Sequence, residues 1–106
     1  MPELTSPSKA PIRSEFASDA DFRDILVAFV DAAPARCRLL TELHNAGSIE
    51  ELARQAHQLK GAGGGYGFPE VSGAGAELQQ ACRAQDAARI AQSLAQLLDV
   101  LGRVEA

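Results

Sequence analysis

The chain has no tryptophan, one tyrosine and four phenylalanines, so aromatic side chains make up only 5% of its 106 residues. Its core must therefore rest on Leu, Ala, Val and Ile. Runs of β-branched residues are missing too, and alanine is plentiful, which favours helices over strands. No apolar stretch approaches the roughly 20 residues needed to span a bilayer, and the N-terminus has no apolar segment of the secretory kind. There is no basic cluster and the formal net charge is −4, which argues against a nucleic-acid partner. Cysteine is scarce: Cys37 and Cys82 lack metal-ligand spacing and read as small core residues of a reducing compartment, although a disulfide between them is conceivable. These features place the chain in the cytoplasm. A length of 106 residues makes one domain, able to bury about two-thirds of its unfolded surface.

Residues 1–17 hold Pro2, Pro7 and Pro11 with Ser6, Ser8 and Ser14 and show little apolar periodicity. They read as a flexible tail, or as the end of a linker from a larger protein. From residue 18 to 106 the pattern is that of a folded helical domain. A first helix starts near Ser18 or Asp19 and carries Phe22, Ile25, Leu26, Phe29 and Val30 on one face. Pro34 breaks its hydrogen-bond ladder and suits the first turn of a second helix. That helix runs to Asn45, presents Leu39, Leu40 and Leu43, and stops at Gly47. Ser48-Ile49-Glu50-Glu51 has the form of a capping box and marks the start of a third helix. Pro69 opens a fourth, with Val71, Ala74, Leu78, Ala81 and Cys82 on one side. Asp86 caps a fifth, which carries Ile90, Leu94, Leu97, Leu98, Leu101 and Val104. Short connections make neighbouring helices antiparallel. The expected fold is all-α: an antiparallel up-down four-helix bundle with an additional N-terminal helix covering one end.

The third helix holds the most informative residue. Leu52, Ala56, Leu59 and Gly63 form one buried stripe. At about 100° per residue, His57 lies roughly 130° from the middle of that stripe and faces water. Lys60, Gly61 and Gly64 share its face. Glycine costs about 1 kcal/mol per helix position relative to alanine, so glycines there need a reason. Room for another protein to reach the imidazole is one. The five glycines from Gly61 to Gly67 also blur where this helix ends. They fit neither G-x-x-x-x-G-K-[ST] nor G-x-G-x-x-G, so a nucleotide loop fails. Tyr66 and Phe68 read as packing residues at the turn. His44, in the last turn before Gly47, reads as structural, its ring favourably placed at the negative end of a helix dipole.

His57-Gln58-Leu59-Lys60-Gly61 resembles the H-x-L-K-G signature of histidine phosphotransfer (HPt) domains of bacterial phosphorelays. The small residues that follow, the Gly67-Phe68 pair, and Leu78, Gln79 and Cys82 continue the resemblance without gaps, and the helical layout extends it over roughly residues 18 to 104. The resemblance implies a phosphocarrier that takes a phosphoryl group from a receiver aspartyl phosphate and passes it to another receiver aspartate. His57 would be the acceptor, Lys60 would stabilise charge on the phosphoryl oxygens, and Gly61 would clear the approach. Gln79 falls where some members hold the non-reactive ring nitrogen. Lys60 leans back over His57 because helical side chains tilt toward the N-terminus.

Partners would be receiver domains and a hybrid or separate histidine kinase, with Mg²⁺ held by the receiver and no cofactor or metal bound by this chain. Phe22, Ile25 and Gly64 would form the docking surface. The chain would act as a monomer, because its helices close a core on their own. It would not be an enzyme, since it carries no ATP-binding domain. Two rivals stand beside this reading. One is the phosphoacceptor part of a histidine kinase: kinase dimerisation helices usually place an acid directly after the histidine, whereas Gln58 is neutral, but an HPt module of the chemotaxis type, phosphorylated by a separate kinase domain, stays open. The other is a helical interaction module with a silent histidine.

Overall fold

The computed structural model describes residues 10–106. A two-residue strand β1 (Ile12–Arg13) and a short 3₁₀ turn (Ala20–Phe22) precede four helices: α1 (Arg23–Asn45), α2 (Ile49–Gly65), α3 (Pro69–Ala84) and α4 (Ala87–Arg103). A second strand, β2 (Val104–Glu105), ends the chain. The α2–α3 pair packs most extensively, followed by α3–α4, and α1 lies against both α2 and α4.

Four helices replace the five expected, because Pro34 lies inside α1. A proline at this place removes one backbone bond and costs about 3 kcal/mol locally. Packing outweighs that cost. Leu26, Phe29 and Ala33 before the proline and Leu40 after it are all buried, so breaking the helix would uncover one side of a continuous stripe. Pro34 itself is exposed, where water can take the carbonyl that its missing N–H leaves unbonded. Among the described residues no separate N-terminal α-helix precedes α1; most of the residues expected to form it are the first half of α1.

The helix ends follow local chemistry. Gly47 takes φ +72°, and the Ser48 N–H reaches back to the Leu43 carbonyl at 2.9 Å, closing α1 as a glycine-terminated helix does. Gln85 closes α3 in the left-handed region, and the Asp86 carboxylate accepts from the Arg89 N–H to start α4. Ser48 differs from expectation. It precedes α2 as anticipated, but its side chain makes no capping bond, because the tight Gly47 turn commits the Ser48 backbone to Leu43. α2 runs through the glycines to Gly65. The turn that follows has Gly67 at φ +79°, and Phe68 and Val71 are fully buried behind it.

The stretch 10–17, expected as part of a tail, is tied down. Ile12 pairs in parallel with Val104 and Arg13 with Glu105, which also ends α4 at Arg103 rather than carrying the helix through Val104. Ile12 and Val104 are buried. Ser14, also buried, donates to the Tyr66 carbonyl and accepts from the Phe16 N–H, and the Glu15 N–H bonds the Gly67 carbonyl at 2.8 Å. Terminal backbone that pairs and packs in this way gains order that its sequence alone does not signal. Residues 1–9 of the expected tail lie outside the described residues. Cys37 and Cys82 are free. Burial pushes both thiols above their ordinary value, with nearby Arg38 offsetting part of the effect at Cys37.

Candidate functional site

His57 stands exposed on the middle of α2, with Lys60, Gly61 and Gly64 exposed on the same face. Leu52, Ala56, Leu59 and Gly63 point the other way and are buried. A side chain begun at Gly61 would meet nothing within 4 Å, and one at Gly64 would meet only the Ser72 hydroxyl at 3.8 Å. Neither glycine is therefore required by packing inside this chain. The surface beside the imidazole is bare.

Gln79 reaches the ring from α3. Its amide nitrogen lies 3.1 Å from His57 Nδ1, and the residue is only 9% exposed. In this orientation the amide NH₂ donates to Nδ1, which leaves the ring proton on Nε2. Turned by 180°, the same amide would present its oxygen, accept from an Nδ1–H, and leave the Nε2 lone pair free. Gln79 thus holds the inner nitrogen and points the outer one at solvent.

Close packing of α2 on α3 brings these two residues together. A Cβ at Gly75 would come within 2.9 Å of the Ala56 carbonyl oxygen and 3.0 Å of the Lys60 nitrogen. A Cβ at Gly63 would come within 2.6 Å of the Ser72 nitrogen and 3.0 Å of the Phe68 oxygen. The two helices approach at distances that only hydrogen side chains allow. Gly75 was not a sequence candidate; its place in the α3 apolar stripe beside Ala74 and Leu78 was the available signal.

Around the ring, Glu50, Ala53, Arg54, His57, Gln79 and Arg83 line a shallow depression of about 290 Å³. Lys60 is exposed one turn beyond and does not line it. Two cations that sequence reading passed over are therefore closer companions of the depression. Arg54 is paired with Glu51 at 2.9 Å, whereas Arg83 has no ion-pair partner among the described residues. Arg83 follows Gln79 by four positions and shares its helix face, a spacing that could have flagged it. No group of three or more acidic, histidine or cysteine side chains suited to a metal occurs among the described residues.

Of the expected docking residues, Ile25 is 45% exposed, while Phe22 is half-buried with its ring 4.6 Å from that of Phe16. The first half of α1 sits at the α2–α3 turn, where Phe29 packs against Tyr66 and Phe68 with ring centroids 5.5 and 5.3 Å away. His44 lies half-buried in the last turn of α1, outside the His57 depression.

The Hpt domain model matches residues 24–106, from the second residue of α1 to the C-terminus. The chain belongs to the Hpt domain family. Its general role is therefore histidine phosphotransfer in phosphorelay signalling, alongside two-component partners such as kinases and receiver domains. Hpt domains are phosphocarriers, not kinases. No curated protein and no solved structure gives a significant match. Among the described residues, no helix of this Hpt domain is long and apolar enough to cross a membrane.

Proposed function

We propose that this Hpt domain carries the phosphoryl group on Nε2 of His57, taking it from the aspartyl phosphate of one receiver domain and passing it to the aspartate of another. The observation that carries this reading is the exposed imidazole whose inner nitrogen is held at 3.1 Å by the buried Gln79 amide. With the proton on Nδ1 and the amide oxygen turned toward it, the Nε2 lone pair attacks phosphorus. The N–P bond forms as the acyl P–O bond breaks, and its electron pair leaves with the aspartate carboxylate. The step is reversible, so the second transfer runs the same bonds backwards.

Most of the catalytic work lies in positioning and in stabilising charge on the three equatorial oxygens. The receiver's own carboxylates would hold a Mg²⁺ ion, which would supply further neutralisation of charge on the phosphoryl oxygens. Lys60 supplies positive charge from the α2 side and Arg83 from the α3 side. The protein acts as a monomer without a cofactor of its own. Incubation with a phosphorylated receiver should place acid-labile, base-stable label on the peptide that contains His57. Label on any other residue would remove the assignment.

Gly61 keeps the approach open. Gly61→Gln should leave the helix intact, because an ordinary helix former replaces glycine where nothing lies within 4 Å. Transfer from the receiver should nevertheless slow by about tenfold or more, equivalent to roughly 1.4 kcal/mol in the barrier. An unchanged rate in the folded variant would reduce Gly61 to a backbone role.

The docking surface runs from His57 along Gly61 and Gly64 to the first half of α1. Ile25→Ala should weaken receiver binding while changing the unfolding midpoint little, since the side chain is already 45% exposed. Phe22→Ala should behave differently and also cost stability, because that ring packs on Phe16. Equal binding by wild type and Ile25→Ala in a titration would place the interface elsewhere.

A further inference from the structure

A second hollow opens next to the His57 depression. Small residues create it: Ala53 on α2, Cys82 on α3 and Ala87 on α4 leave space between Ile49 and Ile90. Its volume is about 500 Å³, and it lies where the start of α2, the end of α3 and the start of α4 meet. Most of its surface is apolar. Glu50, Ala53 and Arg83 line both this hollow and the depression that holds His57 and Gln79, so the two adjoin.

That adjacency decides what covers it. A specific protein interface buries about 800 Å² on each partner, a disc of roughly 16 Å radius. Ile49, at the far edge of the hollow, is eight residues from His57 on the same helix, or about 12 Å at the helical rise of 1.5 Å. A receiver centred on His57, with one side of its face on Gly61, Gly64 and the first half of α1, is wide enough to reach the hollow with its other side. Apolar pockets that a partner covers and closes off from water are where a few anchoring side chains concentrate binding energy. We infer that the hollow receives apolar side chains of the docked receiver domain, and that it sets which receivers this protein binds. The inference rests on the phosphocarrier reading of His57.

Ala87 is the position at which to test it. It is exposed, it opens α4, and it is not part of the His57 depression. Ala87→Trp fills the hollow from its edge. Ala87→Asp puts a charge in it, and an acid in the first turn of a helix favours the fold. Gln92→Trp adds the same bulk to an exposed place on α4 away from the hollow. The assay measures transfer from the phosphorylated protein to a receiver domain chosen because it accepts the group from wild type. Phosphoramidate, a small donor that needs no docking, loads His57 in parallel.

Both Ala87 variants should raise the half-saturating receiver concentration by at least roughly tenfold. The maximal transfer rate, the phosphoramidate labelling and the Gln92→Trp control should match wild type. Unchanged half-saturation in the folded Ala87 variants overturns the proposal, as does an equal loss in Gln92→Trp. A concentration-dependent dimer of wild type that Ala87→Trp dissociates would assign the hollow to a second copy instead. Failure of phosphoramidate to label His57 in wild type would remove the phosphocarrier reading itself, and this proposal with it.

Discussion

His57→Gln should take up no phosphoryl group from a phosphorylated receiver, whereas His44→Gln should be labelled like wild type. This is the largest functional effect expected of any single substitution. Glutamine is polar, tolerates a helix and fits the exposed position, so the fold should survive. It offers no nucleophilic nitrogen, because the amide lone pair is delocalised into its carbonyl. Circular dichroism and an unchanged melting temperature would establish that the variant is folded. Acid-labile label persisting on folded His57→Gln would refute the acceptor assignment. Loss of label in His44→Gln alone would move the chemistry to the other histidine, half-buried at the end of α1.

The largest effect on stability should come from glycines that look alike in sequence. Gly63→Ala introduces a Cβ 2.6 Å from the Ser72 nitrogen, with the Phe68 oxygen and the Val71 Cβ each at 3.0 Å. Two of these three contacts are backbone, which cannot turn aside. The helices must separate, at a cost of about 2–3 kcal/mol. For a domain of this size that lowers the melting temperature by roughly 10–20 °C. Gly61→Ala, two residues earlier, meets nothing within 4 Å and should gain up to about 1 kcal/mol from helix propensity.

Gly75→Ala joins the two effects. Its Cβ presses on the Ala56 and Lys60 backbone, on either side of His57, and pushes α2 away from the helix that carries Gln79. It should lower stability and also loosen the 3.1 Å contact at Nδ1, visible as a shifted imidazole resonance. Equal melting temperatures for Gly61→Ala and Gly63→Ala would show that the α2–α3 approach does not depend on glycine.

Helix boundaries at Gly47, Pro69 and Asp86, and the outward direction of His57, were legible in the chain without coordinates. Each depends on residues within one or two turns: a left-handed glycine, a proline at a first turn, a carboxylate next to free N–H groups, an apolar stripe of helical period. The H-x-L-K-G pattern is local in the same way, and it identified the family that the match over residues 24–106 establishes. Other features depend on groups far apart in sequence. Pro34 was expected to end a helix because its cost is local, while the continuous burial of Leu26, Phe29, Ala33 and Leu40 that outweighs it is tertiary. The Ser14 bond to the α2–α3 turn joins residues 52 positions apart, and the β1–β2 pairing joins positions 12 and 104. Nothing in the local composition of residues 10–17 signals either contact. Gln79 could be nominated from the chain, but its contact with His57 exists because Gly63 and Gly75 let two helices approach more closely than any other side chain would permit. Periodicity reports which face of a helix is buried; the distance to the next helix, and hence which side chains meet across it, is decided only when the helices pack.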